Sequence, residues 1–321
     1  MSRSTVNKAD SEGVTSDAAP HIRSRFALRR AALVAVGIVV VVCVLGIVAD
    51  VVAASRSEHR LSASLASAPG ITYPPEVTLG GFPFITHASS GAFGAATITA
   101  RGVPINGCSY PAMGDCFAEL GASLGSFTVP DGFRISPTDT LRTTSVTAYT
   151  LLNSVNLGRM LGIVDLTVNT PATPDRVGGG GPQFGNLERT SGVVLTGTVA
   201  LPPDSAPPTG RGPAPERAPS ASAYPGPRTK VSVTVDLSVR AGRLHLQATG
   251  FYTGPEKHVS SPALDGNDKQ SLRNAVLARF TTTLPPLPMP WDLPATGAHS
   301  SGSDVLLTAE SGQRDLQPER F

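Results

Sequence analysis

KVSVTVDLSVRAGRLHLQAT, residues 230–249, fixes the fold class. Val231, Val233, Val235, Leu237 and Val239 fall on one side of an extended chain. Ser232, Thr234, Asp236, Ser238 and Arg240 fall on the other. A period of two is the mark of a half-buried antiparallel strand. Ala241-Gly242 then turns the chain, and Leu244, Leu246 and Ala248 resume the alternation, so the stretch predicts a β-hairpin.

Working outward, residues 191–201 and 304–310 predict further strands, 97–103 alternates weakly, and 163–169 alternates Val164, Leu166 and Val168 with polar neighbours. Residues 145–161 read as a helix with Leu152, Val155 and Met160 on one face. Residues 271–280 read as a short helix with Asp268 as its cap. LPPLPMPW, residues 284–291, must be extended, since its four prolines forbid helix. Residues 201–228 carry nine prolines in 28 positions and predict a disordered insertion between strands. Strands of one style lie on both sides of it, so a single α+β domain is expected over 50–318.

At the N-terminus, residues 31–49, AALVAVGIVVVVCVLGIVA, hold 19 residues without a charge. As a helix they would rise about 28 Å, enough to span a hydrocarbon core. Arg23, Arg25, Arg29 and Arg30 precede them and Asp50 follows. Positive residues stay in the cytoplasm, which predicts an inside N-terminus and an exported remainder. A cleaved signal peptide is the alternative, with Val52-Ala53-Ala54 as a cleavage site. The helix is expected to continue through Leu61 and Leu65 and to stop at Pro69-Gly70. Residues 1–30 read as a disordered cytoplasmic tail. They hold six basic and three acidic residues, while the whole chain is only +2. The basic excess therefore belongs to the tail, and no nucleic-acid-binding surface is expected.

Of three cysteines, Cys43 lies in the apolar segment. Cys108 and Cys116 stand eight apart in GCSYPAMGDC, and export predicts a disulfide between them. Six scattered histidines form no ligand cluster, so neither a metal nor another cofactor is expected. ALDGNDK, residues 263–269, lacks the spacing and final glutamate of a calcium loop. The glycine run 178–181 lacks the Lys-Ser/Thr of a phosphate loop and reads as a flexible link.

One catalytic pattern occurs. Gly121-Ala122-Ser123-Leu124-Gly125 matches G-x-S-x-G. A serine nucleophile in that pattern needs a buried strand before it and a helix after it. Here CFAEL precedes and SFTVPDGF follows, so the helix is missing, and neither His245 nor His258 completes a triad by position. No catalytic residue is expected. The apolar strand faces have two readings, an ordinary core or the walls of a slot for an apolar ligand, and both need the same alternation.

Residues 76–105, EVTLGGFPFITHASSGAFGAATITARGVPI, decide between the two readings. With the apolar segment ahead of them and LPPLPMPWDLPATGAHSSGSDVLLTAES (284–311) behind, they resemble the LmeA family of actinobacterial phospholipid-binding envelope proteins. The core of the likeness is Gly81-Phe82-Pro83-Phe84. The resemblance implies a curved antiparallel sheet wrapped around helices, with an elongated apolar cavity. It implies a membrane phospholipid as ligand, of phosphoinositide type, and a supporting role in mannan or lipoglycan biosynthesis beside an envelope glycosyltransferase, without catalysis of its own. A scaffolding module with a solid core, serving an envelope enzyme, is the alternative, and a serine hydrolase using Ser123 ranks behind it. Phe82, Pro83, Phe84, Ile98 and Val103 are the lipid-contact candidates. Arg101 is the head-group candidate, against the plainer role of a solvated strand residue. GGFPFITH, residues 80–87, is expected to be a rigid lead-in to the first strand that plugs one end of the apolar interior, its phenylalanines on different sides.

Overall fold

The computed structural model describes residues 21–110, 114–170, 192–201, 227–254 and 258–321. The tail 1–20, the glycine run 178–181 and residues 202–226 of the Pro-rich stretch lie outside the described residues. The chain divides into two units, residues 1–52 and 53–321.

Helix α1, His21–Leu65, runs through the boundary. It includes residues 21–30, which the sequence reading assigned to an irregular tail. From Ala32 it is long and apolar enough to cross a membrane. Within the first unit Leu33, Val36, Val40, Val44 and Ile47 are all exposed. That surface is apolar all round, as a lipid-facing helix requires.

In the second unit, β1 (Glu76–Gly80), α2 (Phe84–Ser90), β2 (Ala92–Phe93), β3 (Ala95–Tyr110), β4 (Gly114–Leu124), β5 (Phe127–Thr128), β6 (Leu141–Thr143) and β7 (Val146–Asn153) come first. They are followed by α3 (Ser154–Leu161), β8 (Thr167–Asn169), β9 (Gly192–Ala200), β10 (Arg228–Arg240), β11 (Arg243–Phe251), α4 (Gln270–Ala278), β12 (Thr282–Thr283), β13 (Gly297–Ser301), β14 (Asp304–Ser311) and β15 (Arg314–Leu316). Six strands form one antiparallel sheet in the order β1-β3-β4-β7-β14-β13. Five form a second, β12-β11-β10-β9-β8, and four short strands a third, β15-β6-β5-β2. The unit is α+β, and no sheet closes into a barrel.

The hairpin that opened the reading is β10–β11. Arg240 pairs with Arg243 across Ala241 and Gly242, both at positive φ (49° and 72°). Val231, Val233, Val235 and Leu237 are buried, as the alternation demands. Ser232, on the other face, is also buried: its hydroxyl meets Thr196 Oγ1 at 2.7 Å and accepts the Val259 N–H at 3.0 Å. The five-stranded sheet is thus covered there on both faces.

Three local readings change. Residues 146–153 are strand, not helix: Val146, Ala148, Thr150 and Leu152 are the buried set, a period of two. The helical spacing of Leu152, Val155 and Met160 was coincidental, and Val155 is exposed. The helix α3 starts only where Asn153 caps it, accepting the Asn156 N–H at 2.9 Å. Strand pairing in 163–169 is confined to β8. Ile163 instead bonds back to Gly158 at 2.8 Å, and Val164 is exposed. Asp268 sits in a 3-10 turn, and α4 has no side-chain cap.

The inner face of the six-stranded sheet mixes small and large side chains: Ala96, Ala100, Ala122 and Ala148 are buried there among Leu79, Ile98, Leu120, Leu124, Leu152 and Leu307. Small residues leave room for backbone to lie close. The Leu-Pro segment takes that room. It leaves the five-stranded sheet where Leu284 N–H bonds Leu244 O at 2.9 Å. The buried Thr150 hydroxyl then donates to Pro288 O. Thr296 N–H rejoins the first sheet at Thr308 O, 2.8 Å. Trp291 closes the strap, its Nε1–H donating to Gln317 O at 3.0 Å and its ring edge-on to Phe321.

On the outer face, Gly121 pairs directly with Tyr149. A Cβ at Gly121 would fall within the Tyr149 ring. Gly121→Ala should therefore push the ring aside and destabilise the unit by roughly 1–3 kcal/mol. In a Tyr149→Ala background the same change should cost little, a coupling that thermal or urea unfolding of the four variants measures.

Asp165 gives a pH dependence. Burial opposes its carboxylate, but hydrogen bonds from Thr198 N–H and hydroxyl (2.7 Å each) and from Lys230 outweigh it and hold its pKa below the ordinary value. Its contribution is present above the unfolded-state value of about 4 and is lost as pH falls through the lower folded-state value. Asp165→Asn should lower stability at pH 7 and flatten the loss as pH falls below about 4, read from unfolding midpoints across the acid range.

Candidate functional site

The apolar interior is one continuous core. It joins Leu61 and Leu65 of α1, the inner faces of both large sheets, and Leu284, Met289, Trp291 and Leu293 of the strap. Among the lipid-contact candidates, Phe84, Ile98 and Val103 lie in it, at 2%, 0% and 4% exposure. Ile98 pairs with Val77 on one side and Ala122 on the other, on the inner face of the six-stranded sheet.

GGFPFITH takes a different place from the expected one. It leaves β1 rather than leading into the first strand, and its second half is helix α2. The sequence reading missed β1, whose five residues carry only two large apolar side chains. Pro83 is extended and begins α2; the Phe82–Pro83 peptide is cis. The two phenylalanines part company. Phe84 is 2% exposed and packs on Phe93 (centroids 5.6 Å apart), which stacks on Phe127 (5.1 Å). Phe82 is 76% exposed, and Pro83 is exposed as well. Phe84 therefore belongs to an aromatic cluster beside the short four-stranded sheet, while Phe82 meets solvent.

Arg101 stands on the outer edge of the six-stranded sheet. Its Nη1 reaches Glu76 at 2.7 Å and its Nε reaches Glu119 at 3.2 Å. The hydrogen bond and charge of Glu76, then the charge of Glu119, raise its pKa further. Glu119 also accepts the Tyr149 hydroxyl at 3.3 Å. Burial first, then the negative charge of Glu119, raise the Tyr149 pKa despite a hydrogen bond with Thr99. The result is a carboxylate–guanidinium–carboxylate–phenol row across β1, β3, β4 and β7. A guanidinium already holding two carboxylates is poorly placed to take a phosphate as well.

Cys108 and Cys116 form the expected disulfide across the β3–β4 hairpin, Cα atoms 5.5 Å apart and both residues buried. Ser123 lies within β4, between Thr97 of β3 and Thr147 of β7. The strand-to-helix elbow that G-x-S-x-G needs is not formed there. Among the described residues no group of three or more His, Cys, Asp or Glu is placed to hold a metal.

Two sets of residues were not anticipated from the sequence. Thr150 pins the strap across 138 residues of chain, and no local pattern signals such a contact. Arg56, His59 and Arg60 share the solvent face of α1 with Ser55 and Ala63 and line a hollow there. Their signal was present as i, i+3, i+4 spacing just after the apolar run.

A family model described as LmeA-like phospholipid-binding matches residues 48–310. No curated protein and no solved structure matches the chain.

The two phenylalanines should separate in experiment. Phe84→Ala removes one end of the buried aromatic cluster and should cost about 3–5 kcal/mol of stability. Phe82→Ala should change stability by less than about 0.5 kcal/mol. Urea unfolding followed by far-ultraviolet circular dichroism distinguishes the two.

Proposed function

The chain belongs to the LmeA-like phospholipid-binding family, and on that premise we propose that residues 53–321 take the acyl portion of a membrane phospholipid into the apolar interior between the large sheets. The family match over most of the unit carries this reading. An apolar sheet face that is covered in part by an extended strap supports it. Ile98 and Val103 line that interior and are the contact residues we assign to the acyl chain.

Transfer of a chain from water to such an interior gains roughly 0.8 kcal/mol per CH₂, on the order of 10 kcal/mol for 16 carbons before ordering costs. From a bilayer the gain is small, because the chain leaves one apolar medium for another. The protein therefore suits reversible extraction and presentation of lipid, with no covalent step. The apolar N-terminal helix would hold the unit at the cell membrane as a single-pass anchor, N-terminus inside, with the unit in the envelope. A phosphoinositide-type head group and support of a lipoglycan-building glycosyltransferase are the finer parts of this proposal, and they rest on the family resemblance.

Native mass spectrometry of the full chain, released from detergent, tests the reading. The expected spectrum shows a population heavier by one phospholipid, identified after solvent extraction. Ile98→Trp, which fills the interior at that point, should deplete it by tenfold or more while leaving the disulfide formed. A chain that carries no phospholipid after purification from membranes, and takes none up from vesicles, would refute the proposal.

A further inference from the structure

The end of the second unit at which the chain enters, near Ala53, carries two features that lipid uptake does not use. Their position follows from two hydrogen bonds. Ser62 Oγ donates to Pro75 O at 2.6 Å, and Leu79 N–H donates to Glu58 Oε1 at 2.9 Å. As β1 advances from 75 to 79, its partners on α1 step back from 62 to 58. The strand therefore runs back along the helix toward Ala53. The turn after it, residues 80–83, projects past Glu58 at that end.

Phe82 at this turn is 76% exposed and Ile85, on the first turn of α2, is 39% exposed. From Val77 to Ala100 the sole ionisable side chain is His87, and its Nδ1 is engaged with Ala92 O at 3.0 Å. Such a tip can leave water without desolvating a charge.

At the same level of α1, Arg56, His59 and Arg60 are exposed. No carboxylate forms an ion pair with Arg56 or Arg60 among the described residues. Glu58, the acid between them in sequence, is turned away to Leu79 N–H. An uncharged aromatic tip beside unneutralised cations matches an anionic lipid surface: apolar groups enter the head-group layer and arginines meet phosphates. The sequence supplies the reach, since the apolar run ends at Ala49, four residues before the unit begins.

We propose that this end of the unit docks on the surface of an anionic phospholipid bilayer, with Phe82 and Ile85 inserted and Arg56 and Arg60 against lipid phosphates. The docking adds to the lipid-binding reading and stands apart from it. Lipid uptake is reported by mass spectrometry of the same chain, whatever the docking result.

The test uses the full chain in nanodiscs that contain brominated phosphatidylglycerol, with the native Trp291 as constant background. Phe82→Trp places a reporter at the tip. Val155→Trp places one at the other end of the six-stranded sheet: Gly80, Ala95 and Val146 mark one end, and β7 runs from Val146 away to Asn153. Val155 is itself exposed, so the control tolerates the larger ring. More than half of the emission added by Phe82→Trp should be quenched, and little of that added by Val155→Trp. Replacing phosphatidylglycerol by brominated phosphatidylcholine, or introducing Arg56→Gln with Arg60→Gln, should weaken the quenching at least twofold. Equal quenching at both positions, or none at Phe82→Trp, overturns the proposal. Quenching that is indifferent to lipid charge overturns the role of the arginines. Protection of Phe82→Trp that rises with the number of copies per disc shows a second chain, not lipid, on the tip, and overturns it too.

Discussion

The inner face of the six-stranded sheet must be covered, and it shares one core with the buried Leu61 and Leu65 of α1 and with the strap. Burying that face is the dominant favourable term, since each fully buried large aliphatic side chain contributes about 1.5–3 kcal/mol. An extended Leu-Pro strap supplies part of the cover, and extended backbone brings its own problem of unpaired carbonyls. The strap solves it with few contacts: Leu284 N–H on the second sheet, Thr150 on Pro288 O, and Thr296 N–H back on the first. Prolines at four positions remove donors that would otherwise need partners there.

The outer face of the same sheet shows the opposite chemistry. Arg101, Glu76, Glu119 and Tyr149 form a linked polar row over the Gly121 gap. Exposed ion pairs of this kind contribute little to stability, but they consume the one arginine that the sequence suggested for a phosphate. Arg56 and Arg60 on α1 carry no ion pair among the described residues.

Much of this was legible because period-two alternation reports burial on one face directly. Lys230 to Arg240, the turn at Ala241-Gly242 and the β14 strand follow from it, and the Cys108–Cys116 bridge was expected from its spacing. The reading failed where two periodicities coincide. In residues 145–161 both a strand and a helix fit Leu152, and only sheet pairing of Val146 to Asn153 with β4 and β14 chooses the strand. It failed again at β1, where five residues are too few for a pattern, and at Asp268, whose capping chemistry is suitable but whose turn ends one residue early.

By itself the sequence determined the apolar N-terminal helix, the α+β class, the hairpin and the extended strap, because each depends on neighbours within about ten residues. It also set two phenylalanines on either side of Pro83 in GGFPF. Only the tertiary structure decided which of them is buried, since that depends on Phe93 and Phe127 arriving from other strands. It likewise decided that Arg101 is held by Glu76 and Glu119, and that the exposed turn at Phe82 shares an end with Arg56 and Arg60. Those facts are set by register and by the direction of β1 along α1. Contacts between residues far apart in sequence leave no local signature, so no periodicity could have announced them.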